Sequence, residues 1–278
     1  MNIRAIKAIA KKDLSSVTSN AQIFLPMIIV PLIFCVIFPA TLILVTRFTD
    51  LNQATNMEPI LKILESLPEE STLAKDLASF TELNQKLIYL FLNYFFAPLF
   101  LLIPIMGASL VAANSFAGEK ERRTLESLLF APVDIFSLFF GKALAAFLLA
   151  IGLAIGGFIL YGLTINILGY PLFNRAIFPQ SNWLVLLFWV VPSFSILAIL
   201  FNVAVSAKVK GFQEANQMSV FVVLPIVFLL ISQILGAFII DTKFLWLLGG
   251  GGLFISALAL WRMVGYFDRN RLFESQIF

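Results

Sequence analysis

The sequence predicts an all-α integral membrane protein with six transmembrane helices, an N-terminal interfacial amphipathic helix and a short helix on the cytoplasmic side. The first observation behind this prediction is composition, since 60% of the 278 residues are apolar and only 13% are charged. Soluble domains hold about 45–50% apolar and about 25% charged residues, so this composition excludes a soluble globular enzyme. The second observation is that long uncharged stretches separate the charged residues.

Six uncharged windows of 18 to 33 residues supply the six predicted spans. A helix that crosses a bilayer needs about 20 apolar residues, so each window holds one span and none holds two joined by a turn. We therefore expect no charged side chain inside the spans. The windows are 14–46, 87–118, 143–174, 176–207, 215–240 and 244–261.

The spans are expected to be helices, because hydrocarbon offers no water to pair with backbone amides and carbonyls. Strands of a membrane barrel would show alternating segments of about ten residues. Here the apolar runs are continuous, as in FVVLPIVFLLISQILGAFII at 221–240. The sequence is therefore read as a single transmembrane domain over 1–278.

The distribution of basic residues predicts the orientation. Six spans place both termini on one side, and that side carries 13 of the 19 Lys and Arg residues, against six on the other. Cytoplasmic loops carry the excess of Lys and Arg, so both termini are predicted to be cytoplasmic.

Residue counts exclude several kinds of chemistry. The chain has no histidine, which removes His bases and His metal ligands, and its single cysteine, Cys35, cannot form an internal disulfide. An intramembrane enzyme has little support, because Ser109 in GASL has no histidine to activate it. We expect no catalytic residue, metal or bound cofactor in this chain. A net charge of +3 is too small to indicate nucleic-acid binding.

Two segments outside the windows have helical periodicity. Residues 1–20 place an apolar stripe against basic residues, which predicts a helix in the headgroup plane, the alternative being a positive flank that only sets topology. The segment 47–86 is expected to form an extracytoplasmic helical loop, either a lid or a solvated connector. The stripes are Ile3, Ile6, Ala10, Leu14 and Val17 in the first segment, and Ile60, Leu61, Ile63, Leu64, Leu67, then Leu73, Leu77 and Phe80 in the second.

The stretch 116–142, FAGEKERRTLESLLFAPVDIFSLFFGK, is the most informative loop. A second span that ends near 113–116 is followed by charges of alternating sign, with Glu119 and Arg123 placed to pair at i,i+4. A short leucine edge follows, and Pro132 ends the helix. Periodicity leaves two alternatives open: the helix docks into a groove on a soluble partner, or it folds onto the membrane.

Polar and small residues within the spans are expected to pack helices together rather than bind substrate. Gly152 with Gly156, and Ala108 with Ala112, have the spacing of close helix packing, and as a second alternative they mark an interface. The polar candidates are Asn93, Asn166, Ser193, Ser195, Asn202 and Gln233.

EKERRTLESLLFAPV resembles the signature of type-2 ATP-binding-cassette (ABC) exporter permeases, in which a charged run, Thr-Leu-Glu, a leucine pair and a proline lie between spans two and three. The six-span layout, the basic N-terminal helix and KVKGFQEANQ at 208–217 are also similar, so the resemblance covers essentially the whole chain. Where many relatives have glycine before the threonine, this chain has Arg123. Within the family, the sodium-extrusion and drug-export branch looks most similar.

The resemblance implies that the transport path and ATP hydrolysis belong to different chains. Two permease halves form the path, and separate ABC ATPase subunits, which carry ATP and Mg, drive it through this short coupling helix. The second half is another copy or a homologous permease, and the setting is the cell membrane of a bacterium or archaeon. The implied ATPase contacts are Glu119, Arg122, Arg123, Thr124, Leu125, Glu126, Leu128, Leu129 and Pro132, with a second cytoplasmic contact at Lys208, Lys210 and Glu214.

The chain has no G-x-x-x-x-G-K-[ST] loop, and GGGG at 249–252 lies inside a predicted span. This agrees with ATP hydrolysis on a partner chain. A self-sufficient channel or secondary carrier remains the alternative function, and the sequence does not identify the cargo.

Overall fold

Eight helices make up the described part of the chain, which comprises residues 2–48, 72–124, 134–235 and 240–264 of a computed structural model. Six of them are long and apolar enough to cross a membrane, and no strand occurs in the described ranges. The prediction of an all-α membrane protein with six spans is therefore confirmed. The helices are α1 (Ile3–Ser19), α2 (Ala21–Arg47), α3 (Thr72–Ala78), α4 (Leu83–Glu121), α5 (Ile135–Phe173), α6 (Ser181–Ser206), α7 (Phe212–Ile234) and α8 (Thr242–Val264).

Helix α4 forms the centre of the bundle. Within its most apolar window, 78% of the residues are buried, against 22% for α2, α7 and α8. Helices α2, α5, α6 and α7 all pack against α4, and α8 packs on the other side of α6. The outer helices consequently turn most of their apolar surface outwards, as expected of helices that face lipid.

Four five-residue π-helical turns interrupt the spans, one in α2, two in α4 and one in α6. A π turn holds one extra residue, so it widens the helix and changes which side chains share a face. They lie at Ile33–Ile37, Phe91–Phe95, Asn114–Gly118 and Leu186–Val190.

Asparagine and aspartate side chains start three of the helices. The Asn2 Oδ1 atom accepts from the Arg4 amide at 3.1 Å, and Asn20 caps the Gln22 amide at the same distance. Asp134 Oδ1 accepts from Phe136 N at 3.4 Å and begins α5. Such caps satisfy amides that the first helical turn leaves unpaired.

Helix α1 forms as predicted, but its apolar stripe packs against protein. Ile6, Ala10 and Val17 are buried, and a Cβ atom on Gly141 of α5 would lie 3.1 Å from the Ile6 carbonyl oxygen. Asn2 N also donates to Ser137 Oγ of α5 at 3.0 Å. The stripe therefore faces the bundle, and the exposed side of α1 is the basic one.

The second stripe predicted in 47–86 is confirmed, because Leu73, Leu77 and Phe80 are all buried. Tyr89 OH donates to Asp76 Oδ2 at 2.8 Å, and the Arg175 guanidinium lies 4.7 Å from the centre of the Phe80 ring. These contacts hold α3 on the end of the bundle opposite α1. The first predicted stripe, residues 60–67, lies outside the described residues.

The predicted loop boundaries at 116–142 were too wide. Helix α4 continues through a π turn to Glu121, beyond the expected end near 113–116, and α5 already begins at Ile135. Glu119 and Lys142 consequently lie within helices and are 7% and 1% exposed. Both helices therefore extend beyond the uncharged windows 87–118 and 143–174, and the two charged residues that bound those windows pair with each other.

The prediction that Gly152 and Gly156 serve close packing was also wrong. A Cβ atom on either glycine would meet nothing within 4 Å in the described structure. The neighbouring Gly157 is the closely packed one, because a Cβ atom built on it would lie 3.3 Å from Cys35 Sγ. Ala108 and Ala112 are fully buried, in agreement with their predicted role.

Gly249 of α8 allows a close helix contact that can be tested. A Cβ atom there would fall on the Trp189 ring of α6, and that indole donates to the Trp246 carbonyl at 3.1 Å. We expect Gly249→Ala to lower the free energy of unfolding by about 1–3 kcal/mol, as overpacking does. Equilibrium unfolding in mixed detergent micelles would measure the change.

Gly250→Ala is the matched control, because a Cβ atom on Gly250 meets nothing within 4 Å. Alanine favours a helix over glycine by about 1 kcal/mol, so this variant should be as stable as wild type or slightly more stable. Equal loss of stability in the two variants would contradict the close contact.

Candidate functional site

The predicted contact residues start where α4 ends, at the same end of the bundle as α1. We call this the α1 end, and it also contains the start of α5 and the connection 207–211 between α6 and α7. Arg123 has a φ of 57°, in the left-handed region, and its amide bonds the Lys120 carbonyl at 3.1 Å. The left-handed residue ends the helix and turns the chain away from α4.

Glu119 is the centre of an ion cluster in which Asp13, Glu119 and Lys142 are buried and Lys12 is half-exposed. Its two carboxylate oxygens accept from Lys12 Nζ at 2.6 Å and from Lys142 Nζ at 2.5 Å. Lys142 also donates to the Ser115 carbonyl at 2.8 Å and lies 3.6 Å from Asp13 Oδ2. Two cations and two anions thus balance, which makes burial of the group tolerable.

The ion cluster joins three helices, since Lys12 and Asp13 belong to α1, Glu119 to α4 and Lys142 to α5. Helix α5 has 39 residues and is about 58 Å long, whereas the hydrocarbon core of a bilayer is about 30 Å thick. Lys142 is seven residues from the start of α5, so the cluster fits the overhang near the membrane surface.

A brace connects the end of α4 to the connection before α7. Lys120 Nζ donates to the carbonyl oxygens of Ala207 and Val209 at 3.3 and 3.2 Å. Glu121 Oε2 accepts from Phe212 N at 2.9 Å and so caps the first turn of α7. A side chain on Gly211 would collide with Glu121, because its Cβ would lie 2.6 Å from Oε2. Glycine at this position therefore lets the carboxylate approach the backbone.

The structure brings the two predicted contact regions together at this brace. Arg122, Arg123 and Thr124 are exposed, as are Lys208 and Lys210 on the facing connection and Glu214 in the first turn of α7. Glu119 is buried instead and pairs with two lysines, so the predicted pair with Arg123 was wrong. Leu125, Glu126, Leu128, Leu129 and Pro132 lie outside the described residues.

Two interactions shape the start of the exposed segment. Thr124 Oγ1 donates to the Glu119 carbonyl at 3.3 Å, and Arg122 donates to Asn114 Oδ1 at the same distance. Both bonds return the chain to the last turns of α4. The direction in which Arg122–Thr124 leave the bundle is consequently fixed by residues of α4.

Sequence reasoning missed Lys142 and Asp13 as parts of this site, although a signal existed. Asp13 has the spacing of the buried stripe Ile6, Ala10 and Val17, so helical periodicity placed a carboxylate on the packed face of α1. Lys142 is flanked by the apolar residues of FSLFFGKALAAF. A charge in each apolar context indicates a buried ion pair.

In the middle of the bundle, the π turn of α4 at Phe91–Phe95 presents three successive carbonyls to other helices. Tyr161 OH of α5 donates to the Leu92 carbonyl at 2.7 Å, and Gln233 Nε2 of α7 donates to the Tyr94 carbonyl at 3.1 Å. Between them, the Asn93 carbonyl accepts from Asn182 Nδ2 at 2.8 Å and from Trp183 Nε1 at 3.1 Å. One turn of α4 is thereby tied to three neighbouring helices.

Three of the other polar candidates, Ser193, Asn202 and Asn166, make interhelical or structural hydrogen bonds. Ser193 Oγ of α6 donates to the Gly249 carbonyl of α8 at 2.8 Å, and Ser219 Oγ of α7 donates to Asn202 Oδ1 of α6 at 2.7 Å. Asn166 bonds the backbone of Ile177 and Phe178. Ser195 Oγ is buried without a hydrogen-bond partner in the described structure. The prediction that these side chains hold helices together is confirmed for Asn202, Ser193 and Gln233, whereas the Asn93 side chain donates to the Tyr89 carbonyl of its own helix α4.

Comparison with known families agrees with this architecture. The family model described as ABC-2 family transporter protein matches residues 7–262, which includes α1 and all six spanning helices. No curated protein and no solved structure matches the chain. Since the match covers far more than half of the chain, this multi-pass membrane protein belongs to the ABC-2 transporter family, whose members are membrane transport subunits.

Proposed function

We propose that this chain is the membrane-spanning permease subunit of an ABC exporter, driven by a separate ATPase that contacts exposed residues of the segment 119–132 and of the stretch 208–214. The observation that carries the proposal is the brace at the α1 end. It fixes the exposed Arg122–Thr124 beside Lys208, Lys210 and Glu214, so the two regions form one surface. Family membership supports the same function.

The roles on this surface follow from exposure. Arg122, Arg123 and Thr124 face outwards and are able to contact a partner directly. Leu125, Glu126, Leu128, Leu129 and Pro132 extend the proposed contact along the chain. Glu119 is buried, so it holds the segment in place and does not touch the ATPase.

The α1 end is proposed to face the cytoplasm, with both termini on that side of a bacterial or archaeal cell membrane. The excess of Lys and Arg on this side supports the orientation. In the assembly, a second permease copy or a homologous permease completes the path, and the ATPase binds ATP and Mg.

Co-purification tests the ATPase contact. The tagged chain would be co-expressed with ABC ATPases of the same genome, and the amount of retained ATPase measured for wild type, Leu125→Asp and Glu126→Arg. Residues at the centre of an interface often contribute 2 kcal/mol or more to binding, so we expect retention to fall by about tenfold or more.

Glu82→Arg is the matched control for Glu126→Arg, because Glu82 is exposed at the start of α4, at the opposite end of the bundle. It should retain the ATPase as wild type does. Full retention by both Leu125→Asp and Glu126→Arg would disprove the contact. Flux by the purified chain in liposomes, without ATPase or nucleotide, would instead support a self-sufficient channel or secondary carrier.

A further inference from the structure

The ion cluster at the α1 end connects the exposed segment to two helices that lie far from it in sequence. Lys12 and Lys142 reach Glu119 across 107 and 23 residues. Each lysine bonds a different carboxylate oxygen, at 2.6 and 2.5 Å, so Glu119 is held from both sides. Of these two lysines, Lys142 is the buried one, with 1% of its side chain exposed against 53% for Lys12.

We propose that Lys142 is a positioning residue for the ATPase-facing segment: through Glu119 it sets the direction of Arg122–Thr124 and transmits their movement to α5 and α1. The inference rests on the proposed function above. It adds to that function a residue of α5 that lies outside the contact surface and acts through another side chain.

The local geometry supports this role. Thr124 Oγ1 donates to the carbonyl of Glu119, and the left-handed turn at Arg123 lies between them. The turn that leads into the exposed segment therefore begins at Glu119. Lys142 holds this part of α4 at two points, since it bonds the Glu119 carboxylate and also donates to the Ser115 carbonyl one turn earlier. In the proposed role, movement of Thr124 passes to Glu119 and from Glu119 to its two lysine partners.

Asp13 gives the cluster a second carboxylate for the same lysine. Its Oδ2 atom is buried, lies 3.6 Å from Lys142 Nζ and has no hydrogen-bond partner in the described structure. When Glu119 moves away, Lys142 remains beside an anion of α1. The contact of Lys142 with Asp13 of α1 thus persists while its contact with Glu119 of α4 changes. The buried lysine therefore keeps an anionic partner during the movement.

The first experiment measures the position of the segment without any partner. Nitroxide labels would be placed on new cysteines at Ala8 of α1 and at Arg123, which are both exposed, whereas the native Cys35 is fully buried. Pulsed electron–electron double resonance would give the distribution of distances between the two labels. We expect a single narrow distribution in the otherwise wild-type chain and a broad one with Lys142→Met.

Lys11→Met is the matched control, because Lys11 is exposed on α1 next to the cluster. It should leave the distribution narrow. If Lys142→Met does not fold, the neutral variant with Lys142→Met, Glu119→Gln and Asp13→Asn takes its place, since it leaves no buried charge unpaired. A narrow, unshifted distribution in a folded Lys142 variant would overturn the proposal.

The second experiment measures binding of the purified ABC ATPase to the same variants in nanodiscs. We expect Lys142→Met to weaken binding by about tenfold, within the range typical of coupling between distant sites, and Lys11→Met to leave it unchanged. Unchanged binding by a folded Lys142 variant would overturn the positioning role. If the ATPase does not bind even the wild-type chain, the proposed function fails, whereas the label distances still report whether Lys142 holds the segment.

Discussion

Replacing Lys142 by methionine should lower the free energy of unfolding by about 3–5 kcal/mol, the usual cost of removing one partner from a buried ion pair. The methionine fills a similar volume but leaves the carboxylates of Glu119 and Asp13 buried, with only the half-exposed Lys12 beside them. The Ser115 carbonyl also loses its bond to the ammonium group. Equilibrium unfolding in mixed micelles, followed by tryptophan fluorescence, would measure the loss.

Two further variants separate this cause from general damage. Lys11→Met removes the same charge from an exposed position, so its stability should stay within about 0.5 kcal/mol of wild type. Adding Glu119→Gln and Asp13→Asn to Lys142→Met should recover most of the loss, because no buried carboxylate then lacks a cation. A Lys142→Met protein as stable as Lys11→Met would show that the cluster does not stabilise the fold.

Truncation of Trp183 should be comparably destabilising, at about 3–5 kcal/mol for Trp183→Ala. The side chain is fully buried, and its ring lies 4.8 Å from Tyr161 and 5.0 Å from Phe178, centre to centre. Its indole N–H also donates to the Asn93 carbonyl in the π turn. The variant therefore removes a large aromatic contact and one of the bonds that tie α6 to α4.

Trp261→Ala is the control, because Trp261 is 76% exposed at the end of α8 and packs little against the rest of the described chain. Its unfolding free energy should change by no more than about 0.5 kcal/mol. Trp183→Phe keeps a ring but loses the donor and should cost about 0.5–1.5 kcal/mol, since Asn182 still donates to the same carbonyl. Equal losses for Trp183→Ala and Trp261→Ala would contradict the packing described for the central aromatic group.

The six spans could be predicted from the sequence because unpaired charge is expelled from hydrocarbon, so uncharged windows mark helices. Glu119 and Lys142 bound two of the windows yet lie inside helices, in the parts of α4 and α5 that extend beyond the predicted spans. Their charges are neutralised by contact with one another and with α1. Window analysis reads each charge alone and does not detect partners 23 and 107 residues apart.

The candidate site was predictable in part. The charged run after α4 identified Arg122–Thr124 as an exposed segment, and the similar position of KVKGFQEANQ suggested a second region. The brace between them depends on Lys120 and Glu121 reaching backbone atoms of the connection before α7. Hydrogen bonds to a distant backbone leave no periodic trace in sequence. The packing predicted for Gly152 and Gly156 failed for a related reason, since spacing alone does not say which face of α5 meets another helix.

The π turn at Phe91–Phe95 has a consequence for biogenesis. The side chains that bond its carbonyls come from α5, α6 and α7, all of which follow α4 in the chain and leave the ribosome after it. The interhelical contacts of this turn can therefore form only after α5, α6 and α7 have emerged, and the contact made by Gln233 is completed last.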